Sequence, residues 1–274
     1  MDAPNFLGDG ALPDIAIIIT AHNYGRYLDQ CLDSIVQQTR LPEEVVIVDD
    51  ASTDETPQVI ERRASQLEGH FRTRVIRHGA RVGFAGSLNE GIWASQSELF
   101  AHVDADDVCL PRYLEALEEA LFEHPNAAYA YPRIRLTGNE SGVYRSHPFD
   151  PARLIFEGNY IPNVALVRRS AFNDTDGYRP LRTHLDWDLW LDMLAHGHRG
   201  VLVDEVLYEW HRHAGAMTYQ SAASRLRVRL SILIRHRRLV ARHSPSSIAW
   251  TARALGRRLG LTNERRSSSG WLER

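Results

Sequence analysis

Ile15-Ala16-Ile17-Ile18-Ile19 is short, apolar and rich in β-branched residues. Such a run reads as a buried strand. His22-Asn23-Tyr24-Gly25 breaks it, and the pattern then changes period: Leu28, Cys31, Leu32, Ile35 and Val36 recur at helical spacing until Leu41-Pro42 stops them. Val45-Val46-Ile47-Val48 repeats the first motif and ends in Asp49-Asp50. Thr56-Pro57 opens a second helix, with Thr56 as the expected cap and Pro57 in the first turn. Arg74 to Arg77 is a third, shorter strand; Gly83 to Ser95 is a Gly-punctuated loop and helix; Leu99-Phe100-Ala101-His102-Val103 is a fourth strand that ends in Asp104. Strands alternating with helices predict an α/β fold, with a mostly parallel sheet and helices on both faces. Such sheets bind ligands at the carboxyl ends of their strands. Thr20-Ala21-His22, Asp49-Asp50 and Asp104-Ala105-Asp106-Asp107 would therefore open onto one rim.

Beyond the fourth strand the spacing predicts a helix from Pro111 to His124. Extended pieces follow around Ala128–Tyr131 and Val164–Val167, then a helix from Asp186 to Ala195 and a last strand at Val201-Leu202-Val203. A basic helix is expected from Ser224 to His243, with Leu226, Leu230, Leu233 and Ile234 as a narrow apolar stripe. Ser244-Pro245-Ser246-Ser247 would interrupt it, and Ser267-Ser268-Ser269-Gly270 would fray. This divides the chain into a body, residues 1–220 (halves 14–110 and 111–220), and an Arg-rich helical tail, 221–274.

Composition narrows the chemistry. The 274 residues are 43% hydrophobic and 24% charged, as in an ordinary globular protein. The net charge of -3 hides a split: residues 221–274 hold thirteen Arg against two acidic residues, and the rest nineteen Arg against thirty-three. The tail therefore either meets an anionic partner or docks on the acidic body. The chain has no Lys, which removes Schiff-base chemistry and a phosphate-loop lysine. Cys31 and Cys109 form neither a disulfide framework nor a zinc motif, so a reducing cytoplasm is expected. The N-terminus does not read as a signal peptide, and no apolar stretch reaches the roughly 18 residues of a membrane span.

Three carboxylates within the four residues Asp104-Ala105-Asp106-Asp107 repel one another unless a cation compensates. Hard oxygen donors favour magnesium or manganese, often shared with substrate phosphates. A cap on the next helix would account for Asp107 alone. Asp50, at the end of the second strand, suits hydrogen bonds from a base N–H or a ribose hydroxyl, although Asp, Ser and Thr also favour turns there.

Thr20-Ala21-His22-Asn23, Val48-Asp49-Asp50-Ala51-Ser52-Thr53-Asp54, Gly83-Phe84-Ala85-Gly86-Ser87-Leu88-Asn89-Glu90-Gly91-Ile92 and Val103-Asp104-Ala105-Asp106-Asp107 follow one another in the order of glycosyltransferase family 2. Over residues 14–215 the chain resembles that family. The resemblance implies a GT-A fold with a nucleotide-binding half and an acceptor-side half. It implies that Thr20, Ala21 and Asn23 line the nucleotide pocket, that Asp50 bonds the base, that Asp104 opens the Asp-x-Asp motif, and that Asp106 faces ribose or metal. Asp107, with Asp106 and His213, would hold the metal (Mn2+ or Mg2+). Many relatives carry an Arg where this chain has Leu88, and Arg81 is the substitute it offers. Leu185-Asp186-Trp187-Asp188-Leu189-Trp190 is similar to the family's Glu-Asp-Trp-Asp-Leu-Trp segment, which makes Asp186 the expected catalytic base and Asp188 a structural residue. A helix cap is the bland reading of Asp186. Trp210-His211-Arg212-His213 resembles the closing segment, where Arg212 would contact the diphosphate. Asn159 to Asn163 and Tyr178-Arg179 are expected to border the acceptor by position.

The expected reaction is metal-dependent, inverting transfer of a sugar from a nucleotide-diphosphate donor to the hydroxyl of a sugar, lipid-linked or small-molecule acceptor. The alternatives are a non-catalytic binding module of the same fold and a sugar nucleotidyltransferase, which would need a Gly-rich phosphate loop after the first strand. A nucleic-acid partner does not fit an acidic body whose tail lacks interleaved aromatics before Trp250. An amphipathic basic helix at 224–243 would instead give peripheral membrane contact.

Overall fold

The computed structural model describes residues 12–213, 222–243 and 272–273. The first half alternates as expected: β1 (Ile15–Ala21), α1 (Gly25–Val36), β2 (Glu44–Asp49), α2 (Thr56–Leu67), β3 (Arg72–Arg77), α3 (Phe84–Ala94) and β4 (Leu99–Asp104). These four strands lie side by side in the order β3-β2-β1-β4, all parallel. The register sets Thr20 opposite Val48 on one side and Asp104 on the other, and Ala21 opposite Asp49. The three polar strand ends therefore share one rim.

The second half comprises β5 (Val108–Cys109), α4 (Tyr113–Glu123), β6 (Tyr129–Gly138), β7 (Gly142–Tyr144), α5 (Pro151–Phe156), β8 (Leu166–Arg168), α6 (Arg169–Asn173), α7 (Leu185–Ala195) and β9 (Gly200–Arg212). Here short antiparallel pairings join the expected parallel ladders. β8 joins β4 antiparallel, β6 joins β8 antiparallel and β7 joins β6 antiparallel, so the sheet is mixed. Connection length explains the hairpin. Three residues separate β6 from β7, whereas a parallel neighbour needs a crossover of a dozen or more. β9, read from sequence as three residues, runs for thirteen beside β6. Last come α8 (Ala222–Arg235) and the two-residue β10 (Leu272–Glu273), which pairs with β7.

Alternation along β1 feeds two cores. Ile15, Ile17 and Ile19 face Leu28 and Leu32 of α1, Ile60 of α2 and Leu117 of α4. Ala16 and Ile18 face Leu88 and Ile92 of α3 and join the core that holds Trp187 and Trp190 of α7. α3 lies close on the sheet because Gly91 has no side chain: a Cβ there would meet Ile18 Cγ2 at 2.5 Å and Val48 Cγ2 at 3.1 Å. Gly91→Ala is expected to cost about 1–3 kcal/mol, the usual penalty of overpacking, read as a lower urea midpoint with an unchanged slope; an unchanged midpoint would show that α3 can shift freely.

Two local expectations are also revised. Thr56 is the first residue of α2, not its cap; Asp54 accepts the Thr56 N–H (2.9 Å) and the Gly25 N–H (3.1 Å), tying the starts of α1 and α2 together. The stripe expected on the basic helix faces outward. Leu226, Leu230 and Ile234 are 58%, 51% and 67% exposed, while Ile232 and Leu239 are buried in the second core, His236 is buried and Leu233 is half-buried. The inner face of this helix docks on the body, where Arg235 pairs with Asp176 at 2.6 Å and His236 with Asp188 at 3.1 Å. No helix among the described residues is long and apolar enough to cross a membrane. Ser244–Ser247 and Ser267–Gly270 lie outside the described residues.

Candidate active site

The rim is built from backbone outward. Among the described residues, the non-glycine positions with positive φ are Asn23 (63°), Ala51 (57°) and His184 (61°). Each lies at or within two residues of an expected site residue, and strained backbone of this kind concentrates at functional sites. Asn23 turns the chain after β1, and its side-chain oxygen accepts the N–H of Thr53 (2.8 Å) and of Asp54 (3.3 Å). It therefore clamps the β1 loop to the β2 loop. Ala21 does the same through its backbone, its carbonyl accepting the Asp50 N–H at 2.9 Å.

Asp50 is buried and organises the next loop. Its carboxylate accepts the N–H of Val82 (2.7 Å) and Gly83 (2.8 Å) and bonds His78 Nδ1 (2.8 Å). Burial pushes its pKa up, but these partners outweigh it and hold it below the usual carboxylate range. His78 reaches Glu90 with its other nitrogen at 2.8 Å; burial opposes its charge, and the two carboxylates win, raising its pKa. Arg81 is exposed at this loop, 3.9 Å from Asp50. Leu88 is fully buried beneath it, so position 88 faces the core rather than a ligand.

The acidic cluster closes β4. Asp107 is buried, accepts the His211 N–H at 2.8 Å and is approached by the Tyr208 hydroxyl, which itself accepts the Asp104 N–H at 3.2 Å. Asp106 bonds His213 Nε2 at 2.8 Å, and the His213 ring rests against Tyr27. Burial, reinforced by Asp106 and Asp186, pushes Asp104 up to about 8. Burial and the charges of Asp104 and Asp106 also raise Asp107 well above the carboxylate range. These are sites short of positive charge. Among the described residues no three His, Cys, Asp or Glu side chains converge as a ready cation cage. Asp107 is thus held by β9, not used as a helix cap. Below Asp104, His102 is buried and kept neutral, its pKa pushed down by burial to about 3. It sits 3.4 Å from Thr20 Oγ1 and 3.0 Å from Asn163 Nδ2.

Asp186 lies in the first turn of α7. One carboxylate oxygen accepts the Asn159 amide at 2.6 Å, the other the Trp187 N–H at 2.8 Å. Burial pushes it up to about 6 despite both bonds. Asp188, two residues on, is buried and paired with Arg179 and His236. A cavity of about 710 Å³ is lined by Asp104, Asp107, Asn159, Asn163 and Asp186, with Arg182 and Arg212 also on its wall. Arg212 stacks on Trp210 at 4.5 Å and lies 3.4 Å from Glu140. Thr20, Ala21, Asn23, Asp50, Arg81, Asp106 and His213 are outside this lining. Asp50 is connected to it by holding Val82 and Gly83, which do line it.

Sequence reasoning passed over His78, His102 and Tyr208. His102 was within reach, since it lies two residues before Asp104 on the same face of a strand. Tyr208 reaches the cluster from a strand a hundred residues away, and no local pattern announces it.

The mixed α/β sheet thus carries an acidic rim beside a carboxylate-lined cavity. The chain belongs to the family described as Glycosyl transferase family 2, whose model matches residues 16–190. It is 28% identical over 218 residues to the putative glycosyltransferase EpsE of Bacillus subtilis, covering 76% of this chain and 77% of that protein. It is 32% identical over 136 residues to an uncharacterized glycosyltransferase of Haemophilus influenzae, covering 49% of this chain and 41% of that protein. In fold it is similar to S. aureus TarS 1-349 in complex with UDP-GlcNAc, with a TM-score of 0.67, 19% identity, and coverage of 81% of this chain and 66% of that one. It is also similar to the mannosyltransferase PcManGT of Pyrobaculum calidifontis in complex with GDP-Man and Mn2+, with a TM-score of 0.57, 17% identity, and coverage of 93% and 82%. The chain thus spans about three quarters of EpsE and less than two thirds of the Haemophilus protein and the TarS fragment.

Proposed function

We propose that this glycosyltransferase moves a sugar from a nucleotide-diphosphate donor to an acceptor hydroxyl with inversion, in the synthesis of a glycan, polysaccharide or glycolipid, and that Asp186 is its general base. The observation that carries this reading is that Asp104 and Asp107 of the acidic cluster line the same cavity as Asp186, whose charge acts on Asp104. The nucleotide-sugar class is supported by the UDP-GlcNAc and GDP-Man complexes of the two similar folds.

The acceptor hydroxyl attacks the anomeric carbon from the Asp186 side. As the new C–O bond forms, the bond to the phosphate oxygen breaks and its electron pair leaves with the nucleoside diphosphate. The hydroxyl proton passes to Asp186, whose raised pKa suits a base working near neutrality. The Asn159 amide fixes the carboxylate in the cavity wall. Arg212 faces the leaving charge. With one base and a single displacement, configuration inverts. The carboxyls of Asp104 and Asp107, raised by burial and then by neighbouring negative charge, fit a hard divalent cation. Asp106, Asp107 and His213 would hold it (Mn2+ or Mg2+) together with donor phosphate oxygens, and it would supply charge neutralisation for the departing diphosphate.

The test is a thermal-shift screen of UDP, GDP, dTDP and CDP with manganese. At a hundredfold excess over Kd the bound nucleotide adds ~2.7 kcal/mol, a rise of roughly 5–10 °C in a chain of this size. One nucleotide is expected to stand clear of the others. No shift with any of the four would overturn the donor assignment.

A further inference from the structure

α8 has two working faces. Its outer face presents Leu226, Leu230 and Ile234, each more than half exposed. They stand at i, i+4 and i+8, one stripe on a helix. Arg227 beside them, and Arg237, Arg238 and Arg242 on the following helical turns, are also exposed. Residues 222–243 contain no Asp or Glu. Three large apolar side chains in water, bordered by arginines and by no acidic residue, form an amphipathic face with no partner of opposite charge on its own helix.

The inner face reaches the two segments that hold Asp186. Arg229 donates to the carbonyls of Phe156 (3.2 Å) and Glu157 (2.8 Å), and its guanidinium lies 5.2 Å over the Trp187 ring. Gly158, at φ +112°, makes room for it, because a Cβ there would stand 3.2 Å from the guanidinium. Asn159, the next residue, bonds Asp186. His236 bonds Asp188 on the same helix as Asp186. Only the thickness of one helix, about 10–12 Å, separates the outer stripe from the supports of the candidate base.

We propose that the outer face of α8 seats this protein on an anionic lipid surface. Leu226, Leu230 and Ile234 enter the boundary between headgroups and acyl chains, and the four arginines meet lipid phosphates. A second copy of the chain fits the face poorly. Three side chains cover far less than the ~800 Å² per partner of a stable interface, and a like face would set arginine against arginine. The geometry places the candidate active site beside the membrane, where an acceptor hydroxyl on a lipid would be presented. The seating itself does not depend on the glycosyl-transfer reading.

Co-sedimentation of the full chain with vesicles tests this. Vesicles of equal parts phosphatidylglycerol and phosphatidylcholine are expected to carry the protein down at low salt and release it as salt rises; phosphatidylcholine alone is not. The variant L226S/L230S/I234S is expected to partition at least about tenfold less with an unchanged melting temperature, since all three side chains are exposed. The charge variant R227E/R237E/R238E should lose anionic-vesicle binding by a separate route. Equal sedimentation of the apolar triple variant and the unaltered chain would overturn the proposal, as would no binding by the unaltered chain. A concentration-dependent dimer in sedimentation velocity that the apolar triple variant abolishes would assign the stripe to a second copy and also overturn it.

Discussion

Asp186→Asn is expected to lower kcat about 10²–10⁴-fold, the range for loss of a general base, while nucleoside diphosphate binding, followed by calorimetry, stays unchanged. The amide keeps the shape of the carboxylate and its oxygen can still accept the Trp187 N–H, so the fold of the cavity wall is retained while the proton acceptor, and with it the bond from Asn159, is lost. Donor hydrolysis, in which water replaces the acceptor, reads the same proton transfer when no acceptor is in hand. The pH profile provides a second check. The active form of Asp186 is deprotonated, and burial holds its pKa at about 6, so kcat should fall on the acid side of pH 6 and level off above it. Asn159 donates to this carboxylate and stabilises its charge. Asn159→Ala removes that bond, so the acid limb should move to higher pH. An Asp186→Asn enzyme near the unaltered rate would remove the assignment. An Asn159→Ala limb that stays in place would mean that the amide does not tune the base.

How far the sequence could be read depended on the range of the interaction concerned. β1, β2 and β4 are short apolar runs that end in polar clusters, and both signals are local, so the parallel half and its rim were legible. Register then placed Thr20 beside Asp104 without further information. The second half was not legible, because β8 has three residues and β6 gains its length by pairing, in parallel, with β9 seventy residues later. The roles of Asp50 and Asn23 were half-legible. Their position at strand ends predicted a place on the rim, but their side chains hold loops 78–83 and 53–54 by backbone N–H bonds. The helical stripe was found by its period, yet a period alone does not say which of two apolar arcs meets the core. Ile232 and Leu239 won that position, and the Leu226 arc was left to solvent.

Asp107→Asn is expected to separate stability from ligand binding. In the native chain Asp104 titrates at about 8 rather than at the ordinary 3.8, and Asp107 is raised for the same reasons. Between those limits the folded state binds more protons than the unfolded chain. By linkage, the stability that Asp104 contributes is then full below pH 4 and declines as pH rises toward 8. Without a cation the unaltered protein should therefore lose melting temperature across the neutral range. Asp107→Asn removes one of the repelling charges while its amide oxygen can still accept the His211 N–H. It is expected to melt roughly 2–4 °C higher at pH 8, the shift that ~1 kcal/mol produces in a chain of this size. Manganese with the preferred nucleoside diphosphate acts in the opposite sense. It binds the deprotonated cluster, so its stabilising effect on the unaltered protein should grow from pH 6 to pH 8, and on the variant it should vanish. A variant that keeps the full manganese-dependent shift would take Asp107 out of the cation site. A variant no more stable than the parent at pH 8 would mean that Asp104 and Asp107 are not in repulsive contact. The two readouts have opposite signs, so general unfolding cannot imitate the expected pair.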